Sequence, residues 1–215
     1  MADFALAVDV GGTKMAACLV SPDGTVTAHR TTPTPNGDTE QVWAALADLL
    51  KIVAGQERIV GVGVGSAGPT DPKAGTVSPV NIPSWRDFPL VAKISELAPG
   101  LAVHLAGDGI CAAAGEHWLG AGQGHDDLLV MVVSTGVGGG LVQAGKLVQG
   151  PTGNAGHIGH MVVDFAGEQC PCGGRGCVEA YASGPSMVRW AQRQGWPGLS
   201  AVDLADAARS GNPLA

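Results

Sequence analysis

GNAGHIGHMVVDFAGEQCPCGGRGCVEAYASG, residues 153–184, carries two histidines three positions apart. Nine residues separate His160 from Cys170, and CPCGGRGC then places three cysteines in eight positions. Thiolates and imidazole in tetrahedral array are the donors that Zn²⁺ takes in closed structural sites. Cys170, Cys172, Cys177 and one histidine therefore predict a Cys₃His zinc site, zinc rather than iron, with no position left for a catalytic water. Glycines between the thiols let so short a loop wrap a small ion.

The remaining cysteines, Cys18 and Cys111, lie in apolar runs and are expected to be plain core residues. An odd total of five argues against a disulfide framework. Of the 215 residues, 45% are hydrophobic and 14% charged, which favours a packed globular chain over a disordered one. The net charge of −7, without a basic run, argues against a nucleic-acid partner. MADFALAVDV is apolar but too short for a membrane span, and it lacks the basic flank and cleavage site of a signal peptide. A cytoplasmic location, with no membrane partner, is expected.

Strands are predicted at ALAVDV, MAACLVS, TVTAHRTTP, RIVGVGVGS and LAVHLAG, with helices at TEQVWAALADLLKIV, capped by Thr39, and GICAAAGEHWLG. DLLVMVVSTGVGGGLVQAGKLVQG reads as strand, glycine turn and hairpin. VEAYASGPSMVRWAQR and AVDLADAARS read as helical. Strands first, then alternating strands and helices, predict an α/β fold. The order strand–glycine turn–strand occurs at residues 5–20 and again at 128–144, which hints at two similar lobes with a cleft between them. The change of character near residues 106–125 predicts lobes at 1–120 and 121–215.

The 34 glycines cluster in such turns. In DVGGTK (9–14), Gly11 and Gly12 permit a sharp turn. Their N–H groups, the Thr13 hydroxyl and the Lys14 ammonium suit phosphate oxygens, and Asp9 suits a magnesium-bound water. The loop is neither a Walker loop nor a dinucleotide fingerprint. An ordinary hairpin would also explain it, but STGVGGG (134–140) repeats the form with Thr135, Gly136 and Gly138. Two such loops suit a cleft that grips the phosphates of a nucleotide. Asp108, at a strand–helix junction, is either a helix cap or a general base; beside two phosphate loops the base reading is preferred.

DVGGTK, PVNIPSW, GDGICAAAGE, STGVGGG, GHIGH and CPCGGRGCVEAYASG, in that order, resemble the ROK family of sugar kinases and related repressors. The resemblance covers nearly the whole chain, and its last motif is highly specific. It implies the two-lobed actin-like ATPase fold shared by sugar kinases, Hsp70 and actin, and transfer of the γ-phosphate of ATP to a sugar hydroxyl with Mg²⁺. It further implies Asp108 as the base, and Gly68, Asn81, Asp108, His160 and Glu179 around the sugar. His160 is the implied fourth zinc ligand, so that the metal fixes a sugar-contacting loop. A homodimer is implied by analogy.

This chain departs from the family pattern at three places. His157 stands where glutamate is usual, a feature similar to N-acylmannosamine kinases; Gly107 replaces an asparagine; and the chain ends at ARSGNPLA, where the family continues with segments that hold adenosine. A truncated larger lobe is expected. A glucokinase-like hexose kinase is the first expectation, an N-acylmannosamine kinase the second. A non-catalytic sugar sensor and a purely structural zinc protein are the alternatives of other classes. A DNA-binding repressor is set aside because no helix-turn-helix precedes DVGGTK.

Overall fold

A computed structural model describes residues 3–214. The first sheet has five strands in the order β3-β2-β1-β4-β7. β1 (Asp3–Val10), β2 (Lys14–Val20) and β3 (Val26–Pro33) form an antiparallel meander. β4 (Arg58–Ser66) and β7 (Val103–Gly107) extend it in parallel on the β1 side. Between them lie α1 (Thr39–Ala54), the short pair β5 (Thr70–Asp71) and β6 (Thr76–Val77), and α2 (Leu90–Leu97).

Alternation along β1 and β4 decides what each face does. Leu6, Val8, Val10, Val62 and Val64 are buried in one core with Val42, Leu46, Leu49, Leu50 and Val53 of α1. Trp85 and Phe88 stack in that core with ring centroids 4.1 Å apart. The opposite face carries Ala7, Asp9, Gly63 and Gly65. These side chains are small apart from Asp9, which leaves room above the sheet.

Two sequence expectations about helices are corrected. Asp38 caps α1, not Thr39: its side chain accepts from the Gln41 N–H while the Gln41 side chain accepts from the Asp38 N–H, a capping box. The Thr39 hydroxyl instead donates to the Ser84 carbonyl, at 2.7 Å. The run VEAYASGPSMVRWAQR is not one helix but two, α4 (Val178–Ala182) and α5 (Gly184–Arg193). Proline lacks the N–H that a helix interior needs but is tolerated in a first turn. Pro185 therefore starts α5 rather than continuing α4, and Ser183 caps it.

α3 (Asp108–Leu119) leaves the first sheet at Gly107 and packs on a second, antiparallel sheet of order β10-β9-β8. That sheet comprises β8 (Leu128–Val133), β9 (Val137–Gln143) and β10 (Lys146–Val148). A one-turn 3₁₀ helix (Ile158–His160), α4, α5 and α6 (Ala201–Arg209) follow. Both repeated strand–glycine turn–strand segments are thus antiparallel pairs. Among the described residues no helix is long and apolar enough to cross a membrane.

Candidate active site and metal centre

Asp9, Gly65 and Ala106 stand in register near the carboxyl ends of the parallel strands β1, β4 and β7. Crevices outside strand carboxyl ends are the usual ligand sites of open α/β sheets. Asp108 follows two residues after Ala106, as the first residue of α3, with Gly107 in the cap position. Asp108 therefore does not cap the helix; one carboxylate oxygen accepts from the next N–H, that of Gly109, at 2.7 Å. The two acids are close enough for their charges to interact. Burial raises the Asp9 carboxyl above the usual aspartate range, the Asp108 charge raises it further, and Lys14 opposes both.

Cys111 lies one turn along α3, and its Sγ stands over Gly65. The expectation of a plain core thiol is corrected, because the residue as a whole is exposed at the crevice. Its thiol is pushed up to about 11, first by desolvation, then by Asp108 and Asp9. Cys18 is half-buried, with its thiol raised by burial.

In the first glycine loop the Gly11 N–H donates to the Lys14 carbonyl at 3.2 Å, and the Thr34 hydroxyl donates to the Gly11 carbonyl at 2.6 Å. The Gly11 amide is therefore used inside the turn rather than offered to a phosphate, a departure from the sequence reading. Thr13 and Lys14 are exposed, and Gly12 packs against Asn81. The Val80 N–H donates to the Gly68 carbonyl at 3.2 Å, which draws Asn81 beside Gly68. The His157 ring stands over Gly68. Gly12, Asn81, Gly68 and His157 thus form one continuous wall.

The run Gly138–Gly140 has a second use that its sequence did not reveal. A methyl group at Gly109 would collide with the Gly139 backbone, and one at Gly156 would collide with the Gly140 Cα. Glycine at these positions lets the first turn of α3 and the turn before His157 both close on β9. Gly138, by contrast, faces open space. At the loop tip Thr135 is exposed and Gly136 half-buried, and Glu179 lies against Gly136. Glu179, expected to contact the sugar, is engaged within the fold: its Oε2 accepts from the Val137 N–H at 2.8 Å.

His160, Cys170, Cys172 and Cys177 bring one donor atom each within 4.8 Å of one another. The Cys172 and Cys177 sulfurs are 3.8 Å apart, as are Cys170 Sγ and His160 Nδ1. Metal–sulfur bonds of about 2.3 Å at tetrahedral angles place sulfurs about 3.8 Å apart. Cys170 and Cys177 are buried, and a hydrogen bond from the Gly174 N–H holds the Cys172 thiol below its usual range. The donor types and these two spacings suit a small tetrahedral ion. His157 lies outside this set, its ring centroid 6.4 Å from that of His160.

Residues 5–215 match the model of the ROK family. The chain is 39% identical to a glucokinase of Thermotoga maritima over 189 residues, covering 86% of this chain and 59% of that protein. It is 40% identical to an N-acetylmannosamine kinase of Shigella boydii, covering 87% of this chain and 64% of the relative. It superposes with a TM-score of 0.82, at 35% identity, on a ROK family glucokinase from Streptomyces griseus in complex with glucose and AMPPNP. That superposition covers 98% of this chain and 72% of the other. The expected actin-like ATPase fold agrees with these structures. The chain spans about three fifths of the length of the two curated relatives, but sequence and fold agree that it belongs to the ROK family.

Proposed function

We propose that this chain forms the catalytic cleft of an ATP-dependent sugar kinase, with glucose or a similar aldohexose as acceptor. The interaction of Asp9 and Asp108 at the carboxyl ends of the parallel strands, with Lys14 of the first glycine loop beside them, supports the proposal. Asp108, oriented by the Gly109 N–H, takes the proton of the attacking sugar hydroxyl. The sugar oxygen bonds the γ-phosphorus as the bond to the leaving ADP oxygen breaks. Gly68, Asn81, His157, His160 and Glu179 bracket the sugar. Asp9, Gly11, Gly12, Thr13 and Lys14 flank the phosphates on one side, Gly11 as part of the turn rather than as a donor; Thr135, Gly136 and Gly138 flank them on the other. Phosphoryl transfer depends mainly on such positioning and charge stabilisation.

Mg²⁺, held through water on Asp9, would offset charge on the transferring phosphates. His160, Cys170, Cys172 and Cys177 would hold a structural Zn²⁺, whose chemistry there is to fix the loop carrying His160. We assign residues 1–120 and 121–215 to the two lobes, with α3 as the link that docks on the second. A cytoplasmic homodimer is the assembly consistent with this reading.

N-Acylmannosamine is the second acceptor we consider, because an imidazole and not a carboxylate stands over Gly68. A neutral ring can donate or accept one hydrogen bond but does not supply a dependable negative charge. ADP release measured across glucose, mannose, N-acetylglucosamine and N-acetylmannosamine separates the two. Asp108→Asn is expected to lower turnover about 10²–10⁴-fold while sugar binding persists. Sugar binding without turnover in a protein of the relatives' full length would instead identify a sensor. His157→Glu should shift preference toward glucose, and an unchanged preference would remove His157 from the specificity argument.

A further inference from the structure

The tip of the second glycine loop is gripped from two sides by segments that begin at the metal cluster. On one side Cys177 precedes α4, and Glu179 on that helix accepts from the Val137 N–H at 2.8 Å. Two residues beyond α4, the Gly184 N–H donates to the Ser134 carbonyl at 2.9 Å. On the other side is the 3₁₀ turn that ends in His160. Its Gly159 packs so closely on the Val137 carbonyl that no side chain would fit. The two arms are joined where the Val178 N–H donates to the Met161 carbonyl at 3.0 Å and Val162 bridges to Cys177. Val137 is thus held by the neighbours of two cluster residues, and Ser134 by Gly184 at the start of α5.

We propose that Glu179 is a positioning residue that ties the Cys₃His cluster to this loop, so that the ion orders the STGVG backbone as well as the turn carrying His160. A carboxylate has room for more than one donor, so its bond to Val137 does not preclude one to a sugar hydroxyl. Glu179 then joins three things: the metal, the sugar pocket and the loop. Regarding that loop as facing phosphate rests on the kinase reading; the clamp itself does not.

Amide hydrogen exchange of the zinc-loaded protein, with no nucleotide or sugar present, tests the clamp. Glu179→Ala should speed exchange at Val137 about tenfold or more, the range expected for losing a hydrogen bond to a charged group. Amides of β1 and β4 should keep their protection. Removing zinc from the unsubstituted protein should also speed Val137, and this zinc dependence should shrink in Glu179→Ala. The Val178 amide should stay zinc-dependent in both, a distinction that a merely structural loss would not give. If Glu179→Ala loses protection in β1 and β4, Glu179→Gln carries the test, with a few-fold acceleration expected from its neutral acceptor. Equal exchange at Val137 in the variant and the parent would overturn the proposal, as would indifference of Val137 to zinc. Absent turnover with the exchange pattern intact would reject the kinase reading and keep the clamp.

Discussion

β1 and β8 begin equivalent meanders but differ in surroundings. β1 pairs with β2 on one side and β4 on the other, and its alternate residues enter a core shared with α1 and Trp85. β8 pairs only with β9 among the described residues, and its Leu129 and Met131 are 53% and 54% exposed. LLVMVV has the continuous apolar character of a strand covered on both faces, yet here it is a sheet edge. Among the described residues, a separate small core in the second region gathers Val188, Ala191 and Trp196 with partly buried neighbours. The same local device can therefore rest on different supports. In the first region one large apolar core surrounds it; in the second, close glycine contacts with α3 and a few buried apolar residues such as Val137, Val142 and Ala113 hold it.

Loss of a cluster ligand should break this contrast most strongly. In Cys170→Ser the segment from about residue 150 to 184 should open to protease while β1, β2 and β4 stay protected. Structural metal sites contribute folding free energy outright, so the local loss should exceed the about 3 kcal/mol of an ordinary severe substitution. A single transition of the whole chain would abolish the distinction between the regions.

The next largest effect lies in the first core. Leu46 is 0% exposed, and Leu46→Ala should cost about 2–5 kcal/mol in denaturant melts. Val202 on α6 is 71% exposed, and Val202→Ala should stay within about 0.5 kcal/mol. Similar costs at the two positions would mean that α6 is packed more tightly than the structure shows.

An edge strand with exposed apolar residues is a template for pairing. Met131→Lys should lower self-association in sedimentation experiments and change stability by less than about 1 kcal/mol. Persistent association would place the contact surface elsewhere.

The smallest effect sharpens the crevice itself. With its thiol pushed up to about 11, Cys111 should alkylate slowly at pH 8, speeding about tenfold per pH unit until it is ionised. The sign follows because a raised thiol pKa depletes the thiolate at a given pH. Asp108→Asn removes one raising charge and should speed the reaction a few-fold, read by peptide mass spectrometry. No change would mean that Asp108 and Cys111 do not share the crevice.

Much of the cluster and fold was legible because short-range spacing encodes it. CPCGGRGC marked the three thiols while the family resemblance pointed to His160 over His157, and apolar periodicity marked β1, β2, β4 and α1. α2 was not marked: it is eight residues long and lacks a side-chain cap, so its local signal is weak. The cap of α1 was misplaced by one residue because Asp38 and Thr39 both suit that role, and only the reciprocal Gln41 bond separates them. Cys111 was taken for a core thiol because an apolar neighbourhood in sequence says nothing about which face of α3 meets the crevice.

By itself the sequence determined the donor types, the glycine loops and the order of elements, since each depends on residues close along the chain. Only the tertiary structure decided that Gly109 and Gly139 are in backbone contact. It also decided that β8 is an edge and that Glu179 reaches Val137. Those facts depend on groups far apart along the chain, 42 residues for Glu179 and Val137, whose approach is set by packing and not by local pattern.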